Sequence, residues 1–254
     1  MSSLLTNLRS AVITGFVLAF ILILFLAQGS FDQTAFNMWL LRWFHVVAAI
    51  MWVGILYYFN FVQTEYVKVA DPDAKADVMK KLAPNALWWF RWAALFTFLT
   101  GLILLHQITA RIGTEIILGV TMGTLMMLNV WGIIWRNQKI VLGMKDGDVA
   151  VAAAKAGLAS RTNTLFSVPM LMYMVYSAHA PGSYLVLNDW SSNSLIVGLL
   201  IIFAIEANAI WGKMIPAIAS VRAVLTSSFI LSVETVYILR LKEASLVSNI
   251  QLIA

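Results

Sequence analysis

Cysteine is absent from the 254 residues. Its absence excludes disulfides, thiolate metal sites, iron–sulfur clusters and covalent c-type haem, whose attachment needs C-x-x-C-H. A redox group would have to be held by histidine, methionine, carboxylate or backbone. Histidine is also scarce, with His45, His106 and His179 the whole supply. Charge is sparse too: 11% of residues are charged and 61% hydrophobic, against roughly a quarter charged in soluble domains. With a mean hydropathy of +0.85, this composition belongs to membrane proteins. No Walker, Rossmann, Ser-His-Asp or zincin pattern occurs, and no internal repeat or low-complexity run.

What is present is a series of long apolar runs. A spanning helix needs about 20 mostly apolar residues. Seven runs qualify: Ala11–Ala27, Met38–Val62, Ala86–Ile108, Glu115–Trp135, Leu165–Ala178 with its flanks, Leu195–Trp211 and Val221–Leu239. Open strands have no place in lipid, so these runs are helices. The reading is an all-α, polytopic integral membrane bundle of about seven helices (six to eight), forming a single domain over 1–254. The first run, behind Arg9, imitates a signal peptide but is long for one; it is read as a membrane helix.

Lysine and arginine set the orientation. With the N-terminus cytoplasmic, 13 of the 17 basic residues fall on inner flanks, and only Arg42, Arg111, Arg240 and Lys242 on outer ones. Cytoplasmic loops collect Lys and Arg, which explains the net charge of +5 without nucleic acid. The C-terminus is then periplasmic and the surroundings are lipid. The polar connections 63–85 and 136–163 are cytoplasmic, and within the second the alanine-rich "DVAVAAAKAGLAS" is expected to form an interfacial or cytoplasmic helix of its own.

The same orientation puts all three histidines towards the outer side. His45 shares a helical stripe with Arg42, Ala49 and Trp52, and small Ala48 and Ala49 would let a flat ring or another helix approach. Haem b is commonly held by imidazoles from facing helices. His45, with His106 or His179, is thus a candidate for haem b or a metal ion; a plain interhelical hydrogen bond is the competing role. Glu206 and Glu234 lie inside apolar runs, where a carboxylate needs a partner or water. Arg91, Arg136 or Arg222 would reach Glu206, and Arg42 would reach Glu234. Glu206 would otherwise serve a proton path or a substrate contact. "MGTLMML" and "PMLMYM" read as packing material. Pro169 predicts a kink, and Gly54, Gly101 and Gly132 predict close helix contacts.

From "RWFHVVAAIMWVGILYYFNFVQ" onward the chain resembles the membrane domain of the bacterial membrane-bound urate oxidase (urate hydroxylase) family. Three further stretches support this in the same order: "LWWFRWAALFTFLTGLILL", "WRNQKIVLG" and "SRTNTLFSVPMLMYMVYSAHAP", together covering Arg42 to Pro181. The H-x6-W-x-G element alone is also similar to copper-resistance membrane proteins and to a haem-linked protoporphyrinogen-oxidising family. The resemblance implies an inner-membrane enzyme that oxidises urate to 5-hydroxyisourate and passes electrons to a c-type cytochrome. In the family that cytochrome is a fused C-terminal domain. Here, without cysteine, it would be a separate protein. Carried over by position are His45, Trp52 and His179 towards a cofactor, and Arg161, Asn163 and Thr164 towards substrate. Glu206 joins them as a candidate from its place in the membrane. The chain departs from the family's S-R-H-N-T at Thr162. That departure keeps a second expectation open, a non-catalytic membrane subunit or scaffold of a larger complex. A transporter with Glu206 as its proton site is a third.

Overall fold

The structure is a computed structural model describing residues 6–26, 32–107, 112–179 and 193–233. It is all-α, and no strand occurs among the described residues. The chain divides into two compact units, 1–42 and 43–254.

The first unit holds helix α1 (Leu8–Leu26) and the start of α2 (Gln33–Tyr57). Both begin at a capping side chain. Asn7 Oδ1 accepts from the Arg9 amide at 2.9 Å, and Asp32 Oδ1 accepts from Thr34 and Ala35 at 2.8 and 3.1 Å. Each cap satisfies amides that a helix start leaves without partners.

In the second unit α2 continues through a π turn, Tyr58–Gln63, into α3 (Thr64–Val69). The chain breaks at Ala70 and Asp71, both extended, because Pro72 disfavours helix in the residue before it and is itself suited to a first turn. Helix α4 (Pro72–Asp77) and a π turn, Val78–Leu82, lead into α5 (Ala83–Gln107). The connection 63–85 is thus mostly helix. Helix α6 (Thr114–Leu128) passes through a third π turn, Asn129–Ile134, into α7 (Trp135–Val141). Left-handed Gly143 ends α7: its amide meets the Ile140 carbonyl at 3.0 Å and the Met144 amide meets Lys139 at 2.8 Å. That double closure is a Schellman stop.

Helix α8 runs unbroken from Val149 to His179, which corrects the expectation of a separate alanine-rich helix. The Asp148 carboxylate caps it at the Val151 amide (3.0 Å). Nothing between Ser160 and Leu165 interrupts the helical pattern, so the alanine-rich stretch and the apolar run join. Pro169 lies inside it and would leave the Leu165 carbonyl, four residues back, without an amide donor. Helix α9 (Asn193–Trp211), the short α10 (Pro216–Ala219) and α11 (Val221–Val233) follow. From α11, Ser228 Oγ donates to that Leu165 carbonyl at 2.7 Å. A membrane helix tolerates proline where a neighbour satisfies the freed group in this way. Ser228→Ala is expected to lower stability by about 1–3 kcal/mol, measured by thermal unfolding in detergent; an unchanged midpoint would count against this role for Ser228.

Among the described residues four helical stretches are long and apolar enough to cross a membrane: Leu8–Phe25, Gln33–Val69, Pro72–Gln107 and Thr114–Val141. Leu195–Trp211 and Val221–Val233 are shorter apolar helices. The packing core of the second unit gathers Trp52, Leu56, Phe90, Met122, Met126, Phe166 and Tyr173, so the methionines pack as expected. Helices α6 and α8 share the longest contact. A Cβ at Gly119 would come 3.2 Å from that of Tyr173, so glycine lets these two backbones close up. Gly54 and Gly132 meet nothing within 4 Å, contrary to expectation.

Pairwise contacts give the directions. His45 faces Thr100 and Phe59 faces Phe90, so α2 and α5 are antiparallel. Asn129 faces Asn163 and Gly119 faces Tyr173, so α6 and α8 are antiparallel. Asn60 with Ser160 and Tyr57 with Ser167 relate α2 and its π turn to α8 in the same sense. One end of this unit therefore holds His45, His106 and His179. The other holds Asn60, Arg91, Trp135 and Arg161.

Candidate functional site

The residues that point to chemistry fall at two levels. The first is a polar layer within the apolar core. Asn129 donates both amide hydrogens, one to Asn163 Oδ1 and one to Glu206 Oε2, each at 3.0 Å. Asn163 Nδ2 donates to the Met126 carbonyl at 2.9 Å. All three side chains are buried, and three helices are tied at one point. A buried acceptor without a donor would cost free energy, so each bond here specifies how the helices register.

The layer continues around α8. Asn60 donates to Ser160 Oγ (2.8 Å) and to the Leu56 carbonyl (2.9 Å). Tyr57 and Ser167 hydroxyls meet at 2.8 Å, and Ser167 Oγ donates to the Thr164 carbonyl at 2.7 Å. Thr164 and Thr162, also buried, bond back to the carbonyls of Ser160 and Leu158. Asn60 lies within one π turn and Asn129 begins another. Such turns recur at functional sites because they re-aim side chains without ending the helix.

Arg161 lies two residues before Asn163 on α8. It is 6% exposed, and its Nη1 is buried without a hydrogen-bond partner. Glu65, on α3, acts on it electrostatically. Arg91 does not reach Glu206: its guanidinium stacks over Trp135 at 3.8 Å, while Trp131 donates to the Arg91 carbonyl at 3.1 Å. Glu206 has an amide partner and, among the described residues, no ion pair. The ion pairs there, Lys68–Glu65 at 2.7 Å and Lys81–Asp77, are exposed and contribute little. The expected Arg42–Glu234 contact concerns Glu234, which lies outside the described residues.

The second level is His45. Its Nδ1 lies 3.0 Å from Thr100 Oγ1. His106 and His179 sit at the same end of the bundle but are exposed. No group of three or more His, Asp or Glu side chains that could hold a metal ion occurs among the described residues. A group made of all three of His45, His106 and His179 is thus not found there. Sharing a depth is not sharing a face, and the His45 ring turns towards α5. Trp52, seven residues along α2, is 2% exposed with its Nε1 buried and unpartnered.

The structure therefore brings Asn163 and Glu206 together through Asn129, places Thr164 and Arg161 buried on the same stretch of α8, and keeps His45 and Trp52 apart from them. Asn129, Asn60, Ser160 and Thr100 are site residues that the sequence does not single out. Asparagine inside "LMMLNVWGI" and "YYFNFV" is itself a signal, since a buried amide demands partners. No curated protein and no solved structure matches the chain. Residues 106–225, just under half the chain and including the whole stretch from Asn129 to Glu206, match the family model described as Urate oxidase N-terminal; over that stretch the chain is similar to this family.

Proposed function

We propose that the chain oxidises urate, or a related small molecule, in the polar layer and passes the electrons to a separate c-type cytochrome, with haem b held by His45. One observation carries this reading: the family-matched stretch holds Asn129, Asn163 and Glu206, the bonded centre of the buried polar layer. A planar substrate with several N–H and C=O groups calls for amides, hydroxyls and a cation in a dry site. Asn163, Thr164 and Glu206 offer the first kinds of group. Arg161 offers an unpartnered guanidinium nitrogen, suited to an anionic, planar partner.

The reaction balances as urate plus water giving 5-hydroxyisourate, two electrons and two protons. Glu206 is the proton-accepting candidate, since it is the one carboxylate in the layer. The electrons leave singly to a cytochrome, which argues for a one-electron carrier between. Haem would supply that one-electron acceptor when bound. His45 would hold it through its remaining ring nitrogen, because Nδ1 is anchored at Thr100. The layer and His45 stand 15 residues apart along α2 and its π turn (His45 to Asn60), roughly 22 Å of helical rise, with buried Trp52 about midway. The distribution of Lys and Arg supports a bacterial inner-membrane setting with the histidine end periplasmic.

The test is a reduced-minus-oxidised absorption spectrum of the purified protein, with urate-dependent oxygen uptake by membranes supplied with cytochrome c. A haem band lost in His45→Ala, and uptake that requires urate, are the expected results. Absence of any Soret band removes the haem; absence of uptake removes the substrate. A second reading, a non-catalytic membrane subunit, is favoured by the mutual bonding of Asn129, Asn163 and Glu206, which structural packing alone would also produce. Stoichiometric co-purification with a larger complex, without turnover, would establish it.

A further inference from the structure

Thr100 and Gly101 of α5 form the seat of the His45 ring. Thr100 Oγ1 directs its hydrogen to the backbone, with the Phe96 carbonyl at 2.7 Å and the Thr97 carbonyl at 3.1 Å. A hydroxyl has one proton. With it turned to the helix, the oxygen has only lone pairs left for His45 Nδ1, 3.0 Å away. Nδ1 therefore donates. In the neutral ring the other nitrogen, Nε2, then has no hydrogen and keeps its lone pair. The ring also has a hydrogen bond with the backbone of Thr97, one turn before Thr100 on the same face of α5.

Gly101 sets where that lone pair sits. A Cβ there would come 3.1 Å from His45 Cε1 and 3.6 Å from Nδ1. Cε1 joins the two nitrogens, so a methyl group at 101 would push the edge of the ring that aims Nε2. The ring lies against the α5 backbone because position 101 has no side chain.

We infer that Thr100 and Gly101 are positioning residues for His45: the hydroxyl selects the tautomer with a basic Nε2, and the missing Cβ fixes the direction in which Nε2 is offered. The chemistry of the occupant follows. A bare ion of the zinc type needs three or four protein ligands, and no such group is assembled among the described residues. One basic imidazole nitrogen suits a metal that brings its own equatorial donors, as in a porphyrin. That last step rests on the haem reading above; the tautomer does not.

The experiment uses the full chain in detergent, labelled with 15N-histidine, with the other two rings identified through His106→Gln and His179→Gln. Wild type is expected to show His45 protonated at Nδ1 and bare at Nε2. Thr100→Ser keeps that pattern. Thr100→Val, which retains shape but removes the acceptor, moves the proton towards Nε2. Gly101→Ala keeps Nδ1 protonated and shifts the ring resonances. Haemin is titrated in parallel, and Thr100→Val is expected to weaken its binding about 10- to 100-fold, the usual effect of losing an outer-shell partner. A wild-type ring protonated at Nε2, or a Thr100→Val spectrum like wild type, overturns the positioning role. If haemin fails to bind while the tautomer is as stated, the haem reading falls and the assignment of Thr100 stands.

Discussion

Asn129→Ala is expected to destabilise the bundle by about 2–4 kcal/mol, because it leaves two buried acceptors without donors. Glu206 Oε2 and Asn163 Oδ1 both depend on the Asn129 amide, and these residues are 5% and 0% exposed. Interhelical hydrogen bonds in membranes average well under that range each, since the unfolded chain in lipid also finds partners. The larger figure follows from two orphaned groups at a single point. Unfolding in mixed detergent measures it. Combining Asn129→Leu with Glu206→Leu should fall short of the sum of the single effects by roughly 0.5–3 kcal/mol, the coupling expected of bonded neighbours. Strict additivity would show that the Asn129–Glu206 bond does not hold these helices together.

Arg161→Gln is expected to lower urate-dependent reduction of added cytochrome c by about 100-fold or more, the scale of losing one preorganised charge-stabilising donor. Arg161 is nearly closed to solvent and has a guanidinium nitrogen with no partner, which is why the proposed function gives it the substrate contact. Its removal should cost little stability, because Glu65 is partly exposed and already paired with Lys68 at 2.7 Å. Arg161→Lys should not rescue activity, since an ammonium is a point charge without the planar fork. The haem band should persist, because His45 lies at the other end of the unit. Activity within a fewfold of wild type would remove Arg161 from the site.

The helices themselves were legible because an apolar run is a property of one dimension. The stretches around α1, α2, α5, α6, α9 and α11 were visible as runs of apolar residues, with ends displaced by a few residues. The join at Ser160–Leu165 was not visible. Polar residues in "SRTNT" read as a boundary, yet within α8 Ser160 and Asn163 find partners on neighbouring helices, and Thr162 and Thr164 bond back to α8's own carbonyls. Arg161, Asn163, Thr164 and Glu206 could be named from resemblance and from their place in apolar runs. Asn129, which ties two of them, was hidden because its partners lie 34 and 77 residues away.

By itself, the sequence determined that this protein is helical, suited to a membrane, without thiolate chemistry, and that its histidines sit near one depth. Depth follows from residue number, because each helical residue rises by a constant amount. Only the tertiary structure decided that His45 turns to Thr100 rather than to another histidine, and that Glu206 takes an amide rather than an arginine. Those choices depend on how each helix is rotated about its axis, and rotation is set jointly by all the neighbours it packs against.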